Sequence, residues 1–480
     1  MKIPKYIREI LDVLEKAGFE GYIVGGCVRD LIMEKAPKDF DVTTNARPEQ
    51  IQKIFSGGKY ENSFGTVLLP IRDGEEVIDV VEITTYRSEQ GYSDRRHPDQ
   101  VVFEEKLDKD LERRDFTINA MAMSLKGKKT EIIDLFGGKK DIEKKIIRAV
   151  GEPADRFKED ALRMMRAIRF SSELGFEIEP KTERAIVRLA GGVKFISKER
   201  IRDELIKILA SDEPYEGIIK LHEMKLLQYI IPELERGVGV KQDRHHIYTV
   251  FKHSVLALKF CPGKDWRVRL AALLHDIAKP QTKDMSKGYS TFYNHDILGA
   301  KIAKKIMERL KFSNAEMEKV TLLVRNHMFY YNVGEVTEAS VRRLVKKVGA
   351  DNLKDLIDLR IADRLGSGVP KAKPYKLRHL EYMMEKVKKD PISAKMLKIG
   401  GNDIMELLAI EPGPKIGAIL EVLLAEVIED PKQNKKDILL IRAAELNKLD
   451  LGQLRDRAKE KIEEKKEEED KELKSEFWVK

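Results

Sequence analysis

The hydrophobic pattern of the chain changes period near residue 150, and that change constrains the fold before any single residue is weighed. Up to that point an amphipathic stretch carrying Ile7, Ile10, Leu11 and Leu14 is followed by short β-rich runs at 21–24, 67–71 and 77–84. Period two marks strands, whereas three-to-four spacing marks helices. Beyond about residue 151 the helical spacing takes over almost completely, with helices expected over 160–174, 199–209, 268–278 and 300–310. The expected fold is therefore an α+β head followed by a long all-α body.

A chain of 480 residues holds about three domains at roughly 150 residues each. Its pattern sets one boundary near residue 150 and another near 370. The last boundary falls in GSGVPKAKPY, from Gly366 to Tyr375, whose glycine, proline and lysine content is that of a linker. No run approaches the ~20 apolar residues of a membrane helix, so no membrane partner is expected. The first ten residues carry charges where an export signal has an apolar core, and Cys27 and Cys261 lack disulfide or metal spacing; a cytoplasmic location is expected. Lys and Arg outnumber Asp and Glu by 90 to 82, and the formal charge of +8 suits a polyanionic partner without identifying one. The last thirty residues mix both signs at short spacing and read as a solvated helix. The oligomeric state is left open.

The most informative segment is GYIVGGCVRD followed by KDFDVTT. On a strand, Asp39 and Asp41 project to one side and can hold one or two Mg²⁺ ions against a triphosphate, while Phe40 enters the core. Gly25 and Gly26 let backbone amides approach a polyphosphate closely, and Arg29 is placed to meet phosphate oxygens. Each element alone also fits an ordinary turn with surface acids. The order Gly-Gly-x-x-Arg-Asp, then Asp-x-Asp, resembles the signature of the nucleotidyltransferase superfamily. Two-metal phosphoryl transfer calls for a third carboxylate near the primer hydroxyl. VIDVVEITTYR offers Glu82 and Asp79 on opposite strand faces, and Glu82 is preferred.

LERRDFTINAMA matches the second motif of class II tRNA nucleotidyltransferases and of the related bacterial poly(A) polymerases. The resemblance implies that Asp115 accepts from a ribose hydroxyl, that Arg113 or Arg114 meets phosphates, and that Asn119 helps to hold the nucleotide. RSEQGYSDRRHPDQVVF, at 87–103, resembles the flexible loop of family members that add A.

The third motif is RFKEDALRMMRAIRF. In a helix Asp160 and Arg163 are i and i+3 and share a face, with Glu159 flanking and Arg166 further on. A carboxylate accepts from the exocyclic amine of C or A, and a guanidinium donates to the neighbouring ring positions. Uracil and guanine present carbonyl oxygens there and are repelled. The pattern resembles the Glu-Asp-x-x-Arg amino-acid template of CCA-adding enzymes. ISKERIRDEL resembles the neck-helix motif of the same family, and its Arg200 and Glu204, at i and i+4, are expected to pair with each other.

Six of the nine histidines lie between His245 and His327. His253, His275 with Asp276 on one helix, and Asp363 resemble the ligands of an HD phosphohydrolase domain. His295 and His327 stand where two-metal variants have extra ligands. A divalent transition metal or Mg²⁺ is implied there, with a secondary phosphatase or 2′,3′-cyclic phosphodiesterase activity as the corresponding chemistry. In LKIGGNDIMELLAIEPGPKIGAILEVLL, Gly413 and Gly417 open a helix with Lys415 beside them, a place for an RNA phosphate.

The resemblance is to bacterial class II tRNA nucleotidyltransferases with an HD domain. It implies a palm head (1–150), a base-selecting helical neck (151–230), an HD body (231–370) and a tRNA-binding tail (371–480). The activity implied is untemplated addition of C, C and A to tRNA from CTP and ATP, with Mg²⁺ in the head. The alternatives are an A-adding-only enzyme or a poly(A) polymerase and, in a different class, an HD phosphohydrolase acting on RNA ends.

Overall fold

The computed structural model describes residues 3–60, 65–90, 100–126, 129–243, 247–388 and 397–479. Its contacts divide the chain into two compact units, Met1–Arg325 with Ala362–Val369, and Asn326–Ile361 with Pro370–Lys480. Among the described residues no helix is long and apolar enough to cross a membrane.

The first unit begins with α1 (Lys5–Lys16), which buries Ile7, Ile10, Leu11 and Leu14 as its spacing dictates. Then come β1 (Gly21–Val24), α2 (Gly26–Ile32), β2 (Asp41–Thr44), α3 (Pro48–Ile54), β3 (Lys59–Tyr60), β4 (Thr66–Asp73) and β5 (Glu76–Thr85). A separate hairpin pair, β6 (Arg87–Gln90) and β7 (Gln100–Phe103), borders the loop expected to aid A addition, whose residues 91–99 lie outside the described ones. After α4 (Leu107–Glu112), strands β8 (Met121–Lys126) and β9 (Lys129–Asp134) complete a seven-stranded sheet in the order β3-β4-β5-β2-β1-β8-β9. The β2–β5 pair is parallel, and it sets Asp41 opposite Glu82. Val42, Thr43 and Thr44 are fully buried, and β2 is paired on both sides, by β1 and β5, so its first residue, Asp41, is held at the start of a central strand.

Helices follow: α5 (Gly138–Glu143), α6 (Pro153–Glu159), α7 (Leu162–Leu174), α8 (Pro180–Leu189) and α9 (Lys198–Ala210). The single helix expected over 160–174 is broken at its start. Asp160 is extended (φ −139°, ψ 106°), and its Oδ1 accepts the Leu162 N–H at 2.9 Å. A short acid side chain that bonds its own backbone two residues on competes with the helix, and here it ends α6 and takes up the first N–H of α7. The expected helix over 268–278 stops at Leu274, so His275 and Asp276 lie in the turn after Trp266–Leu274 and not on the helix itself.

In the second unit, Ile404, Ile419, Leu423, Leu439, Leu446 and Leu454 form a core between the helices Gly401–Leu408, Pro414–Glu429, Lys436–Leu446 and Leu451–Glu476. The charged C-terminal stretch is a continuous helix of 26 residues whose first turn is capped by Asp450, bonded to the Gln453 N–H at 2.9 Å.

Candidate functional site

The strand expected to carry both Asp39 and Asp41 begins only at Asp41, so Asp39 lies in the segment leading into β2, where its charge still acts on the Asp41 carboxyl; Phe40 is buried, and the parallel register adds Glu82. Burial, then the charges of Glu82 and Asp39, push the Asp41 carboxyl up to about 6 against the opposing pull of Arg114. Carboxylates that raise one another in this way, with oxygen donors only, fit a divalent cation such as Mg²⁺. Asp79 belongs elsewhere: it accepts the Tyr6 hydroxyl at 2.5 Å.

Gly25 precedes α2 with φ +87°, and a Cβ there would lie 3.1 Å from Arg114 Nη1 and 3.7 Å from Asp41 Oδ2. The glycine is thus required both by its left-handed backbone and by the close approach of a guanidinium. Gly26 opens α2. Arg29 donates to Asn119 Oδ1 at 3.0 Å and to Asp30 at 2.7 Å, with its guanidinium over the Phe170 ring.

Sequence reasoning missed Asp110. Fully buried, it accepts from Arg113 Nη2 at 2.7 Å and from Arg114 Nη2 at 3.1 Å. Burial alone would raise its carboxyl, but the two guanidiniums outweigh burial and hold it at about 2. The signal was legible, since an acid three and four residues before two arginines on α4 shares their face. Asp110 thereby orients both arginines of the second motif.

Asp115 is buried and accepts from Arg166 Nε at 2.7 Å and Nη2 at 2.6 Å, and from Asn119 Nδ2 at 3.3 Å. Burial would raise it, yet Arg166 and then Arg163 keep it below its ordinary range. Arg163 donates to Glu159 at 2.5 Å and to the Arg113 carbonyl at 3.0 Å. Helix α7 is therefore pinned to the second motif through two guanidiniums. The expected pairing of Arg200 with Glu204 is replaced. Arg200 reaches Asp160 at 2.6 Å, and Glu204 accepts from Arg169 at 3.3 Å. Asp160 stands in the break between α6 and α7, and Arg200 on α9 reaches it there.

The second cluster joins four side chains from the body. His253 Nε2 lies 3.1 Å from Asp276 Oδ2 and 3.4 Å from Asp363 Oδ1, and His275 Nε2 lies 3.2 Å and 3.7 Å from the same two atoms. The other ring nitrogen of His275, Nδ1, is 2.8 Å from the Ala272 carbonyl, which leaves Nε2 facing inward. His295 Nε2 is 3.4 Å from Asp276 Oδ1. His327 is buried and belongs to the second unit, and His245 lies outside the described residues. Burial would lower His275, but Asp276 and Asp363 raise it to about 10 while both carboxyls fall well below their usual range. Convergent imidazole nitrogens and carboxylate oxygens fit a divalent metal. Lys279 Nζ also reaches Asp276 Oδ2 at 2.6 Å, a cation that sequence reasoning missed.

In the tail, Gly413 caps the helix Pro414–Glu429 and a Cβ on Gly417 would meet open space, but the Lys415 amine is already donated to the Asn447 carbonyl at 2.7 Å.

Residues 21–148 match the family described as poly A polymerase head domain, 175–237 the probable RNA and SrmB-binding site of polymerase A, and 245–367 the HD domain. The chain is 51% identical over 200 residues to a CCA-adding enzyme of Lactobacillus helveticus, an alignment spanning 42% of this chain and about half, 48%, of that protein. It is 33% identical to the CCA-adding enzyme of Lactiplantibacillus plantarum over 90% of this chain and 94% of the relative. The crystal structure of the Bacillus stearothermophilus CCA-adding enzyme in complex with CTP is similar at a TM-score of 0.61 and 27% identity, covering 93% of this chain and 98% of that one.

Proposed function

The chain belongs to the CCA-adding enzymes, a family of tRNA nucleotidyltransferases, and from that premise we propose that it adds C, C and A to the 3′ end of tRNA from CTP and ATP, releasing pyrophosphate. The observation that carries the reading is the carboxylate edge of the head, where Asp41 and Glu82 face each other across parallel strands with Asp39 alongside.

Asp39, Asp41 and Glu82 hold divalent ions, Mg²⁺ in this reading. Bound there, such ions would supply charge neutralisation at the triphosphate and a lowered pKa at the tRNA 3′-hydroxyl. Gly25 and Gly26 leave room for the phosphates, and Arg29, Arg113 and Arg114 meet their charge. Asp110 keeps the last two aimed. Asp115, with Asn119, accepts from the ribose, which favours NTP over dNTP. Asp160 and Arg163, steadied by Glu159, read the amine-bearing edge of C or A, and Arg166 couples them to the ribose contact. Gly413, Lys415 and Gly417 mark an RNA contact in the tail, with Lys415 oriented by Asn447.

The chain is divided functionally into a head (1–150), a neck (151–230), an HD body (231–370) and a tRNA-binding tail (371–480), and it works in the cytoplasm. His253, His275, Asp276 and Asp363 hold a divalent metal that would supply phosphohydrolase chemistry at RNA ends.

The test offers tRNA transcripts lacking CCA, CA or only A to the purified protein with Mg²⁺, giving CTP and ATP separately and together, and reads product lengths. Ordered growth that stops at CCA is expected. Extension only of the transcript lacking A would make the protein an A-adding specialist.

A further inference from the structure

We propose that Arg200 is a positioning residue for base selection, setting the direction in which Asp160 can accept a hydrogen bond; this deepens, and rests on, the reading of Asp160 as the base-reading carboxylate. Arg200 lies on α9, 40 residues beyond its partner, and meets it as a fork, Nη2 to Oδ2 at 2.6 Å and Nη1 to Oδ1 at 3.3 Å. The Leu162 N–H takes Oδ1 as well, at 2.9 Å. A carboxylate offers about four lone-pair sites. Three are occupied, and the one left, on Oδ2, suits a single N–H of an exocyclic amine.

The need for such a fixture follows from the backbone. Asp160 stands directly after α6 with an extended backbone (φ −139°, ψ 106°), so its side chain is not laid back along a helical turn as a helix residue's is. Without Arg200 the carboxylate is held by the Leu162 N–H alone, and Oδ2 is free to swing about that bond. Its companion Arg163 is fixed in the same manner from outside the pair, by Glu159 and by the carbonyls of Arg113 and Arg156. Selection against uracil and guanine depends on where an acceptor points, so a rotating carboxylate would still attract donors and would discriminate less.

The experiment measures single-nucleotide addition to tRNA transcripts by the full-length protein, with CTP, ATP, UTP and GTP, for Arg200→Met, Arg200→Lys, Asp160→Ala and the double variant Arg200→Met with Asp160→Ala. Arg200→Met is expected to lower the CTP-over-UTP ratio of kcat/KM by roughly ten- to a hundred-fold, the range for one oriented base contact. Arg200→Lys, which keeps the charge and loses the fork, should fall in between. In the Asp160→Ala background the Arg200 change should leave the ratio where Asp160→Ala put it. Equal slowing with all four nucleotides, at an unchanged ratio, would mean a merely structural role and overturn the proposal. If Arg200→Met does not fold, as read by its melting curve, Arg200→Lys decides alone, and a wild-type ratio overturns the proposal. A ratio that loosens in Asp160→Ala but not in either Arg200 variant removes Arg200's role and leaves the base-reading role standing. An unchanged ratio in Asp160→Ala removes both.

Discussion

Asp41 and Glu82 occupy directly opposed positions on neighbouring parallel strands, so two carboxylates 41 residues apart in sequence stand side by side in the sheet. Asp79, three residues earlier on the same strand, is instead bonded to Tyr6. Asp41→Asn should abolish nucleotide addition while tRNA still binds in a filter or gel-shift assay. Glu82→Gln should lower kcat by on the order of a hundred-fold or more, the usual loss for a group stabilising charge at the reacting centre. Asp79→Asn should stay close to wild type. Full loss with Asp79→Asn and none with Glu82→Gln would reverse the assignment.

Asp110 makes a separate prediction about stability. Its carboxyl sits at about 2 in the fold, below the ordinary 3.8, so the stabilisation it gives is present above about pH 4 and is lost as pH falls toward 2. Asp110→Asn leaves two guanidiniums short of a buried counter-charge and should destabilise by about 3 kcal/mol at neutral pH. The gap between variant and wild type, followed by denaturant melts, should shrink as the pH is lowered. The KM for CTP should rise because Arg113 and Arg114 lose their aim.

Gly25 is strained for any other residue. Gly25→Ala should cost ~1 kcal/mol or more in stability from its backbone alone. It should cost proportionately more in activity, because the added methyl lies against Arg114 beside Asp41. A melting curve and an addition assay on the same preparation separate the two effects.

For the body, Asp276→Ala removes an oxygen that approaches both His253 and His275. Metal content after dialysis, read by elemental analysis, should fall relative to wild type. Hydrolysis of 2′,3′-cyclic phosphates should disappear with it, while CCA addition persists. Metal content equal to wild type would dismiss this cluster as the binding site.

Much of this was legible in the sequence because the strands and helices carry their periods openly. Ile7, Ile10, Leu11 and Leu14 bury as their spacing requires, whereas the strand expected to carry both Asp39 and Asp41 starts at Asp41. Partner choice was not legible. Arg200 with Glu204 satisfied a local rule, but a carboxylate 40 residues away offered a fork, and packing rather than spacing decided. Asp160 was misplaced on a helix although an acid immediately before an apolar run is a capping signal in its own right. The meeting of His253 with Asp363 depends on tertiary folding that no local pattern encodes.

The two guanidiniums that run from α7 to the second motif have one more consequence. Arg163 grips the carbonyl of Arg113, and Arg166 grips the carboxylate of Asp115, so the part proposed to read the base is riveted to the part proposed to read the sugar. Both measurements are taken from a single origin. Loosening either rivet should degrade fidelity to base and to sugar together, as a misaligned gauge misreads every scale engraved on it.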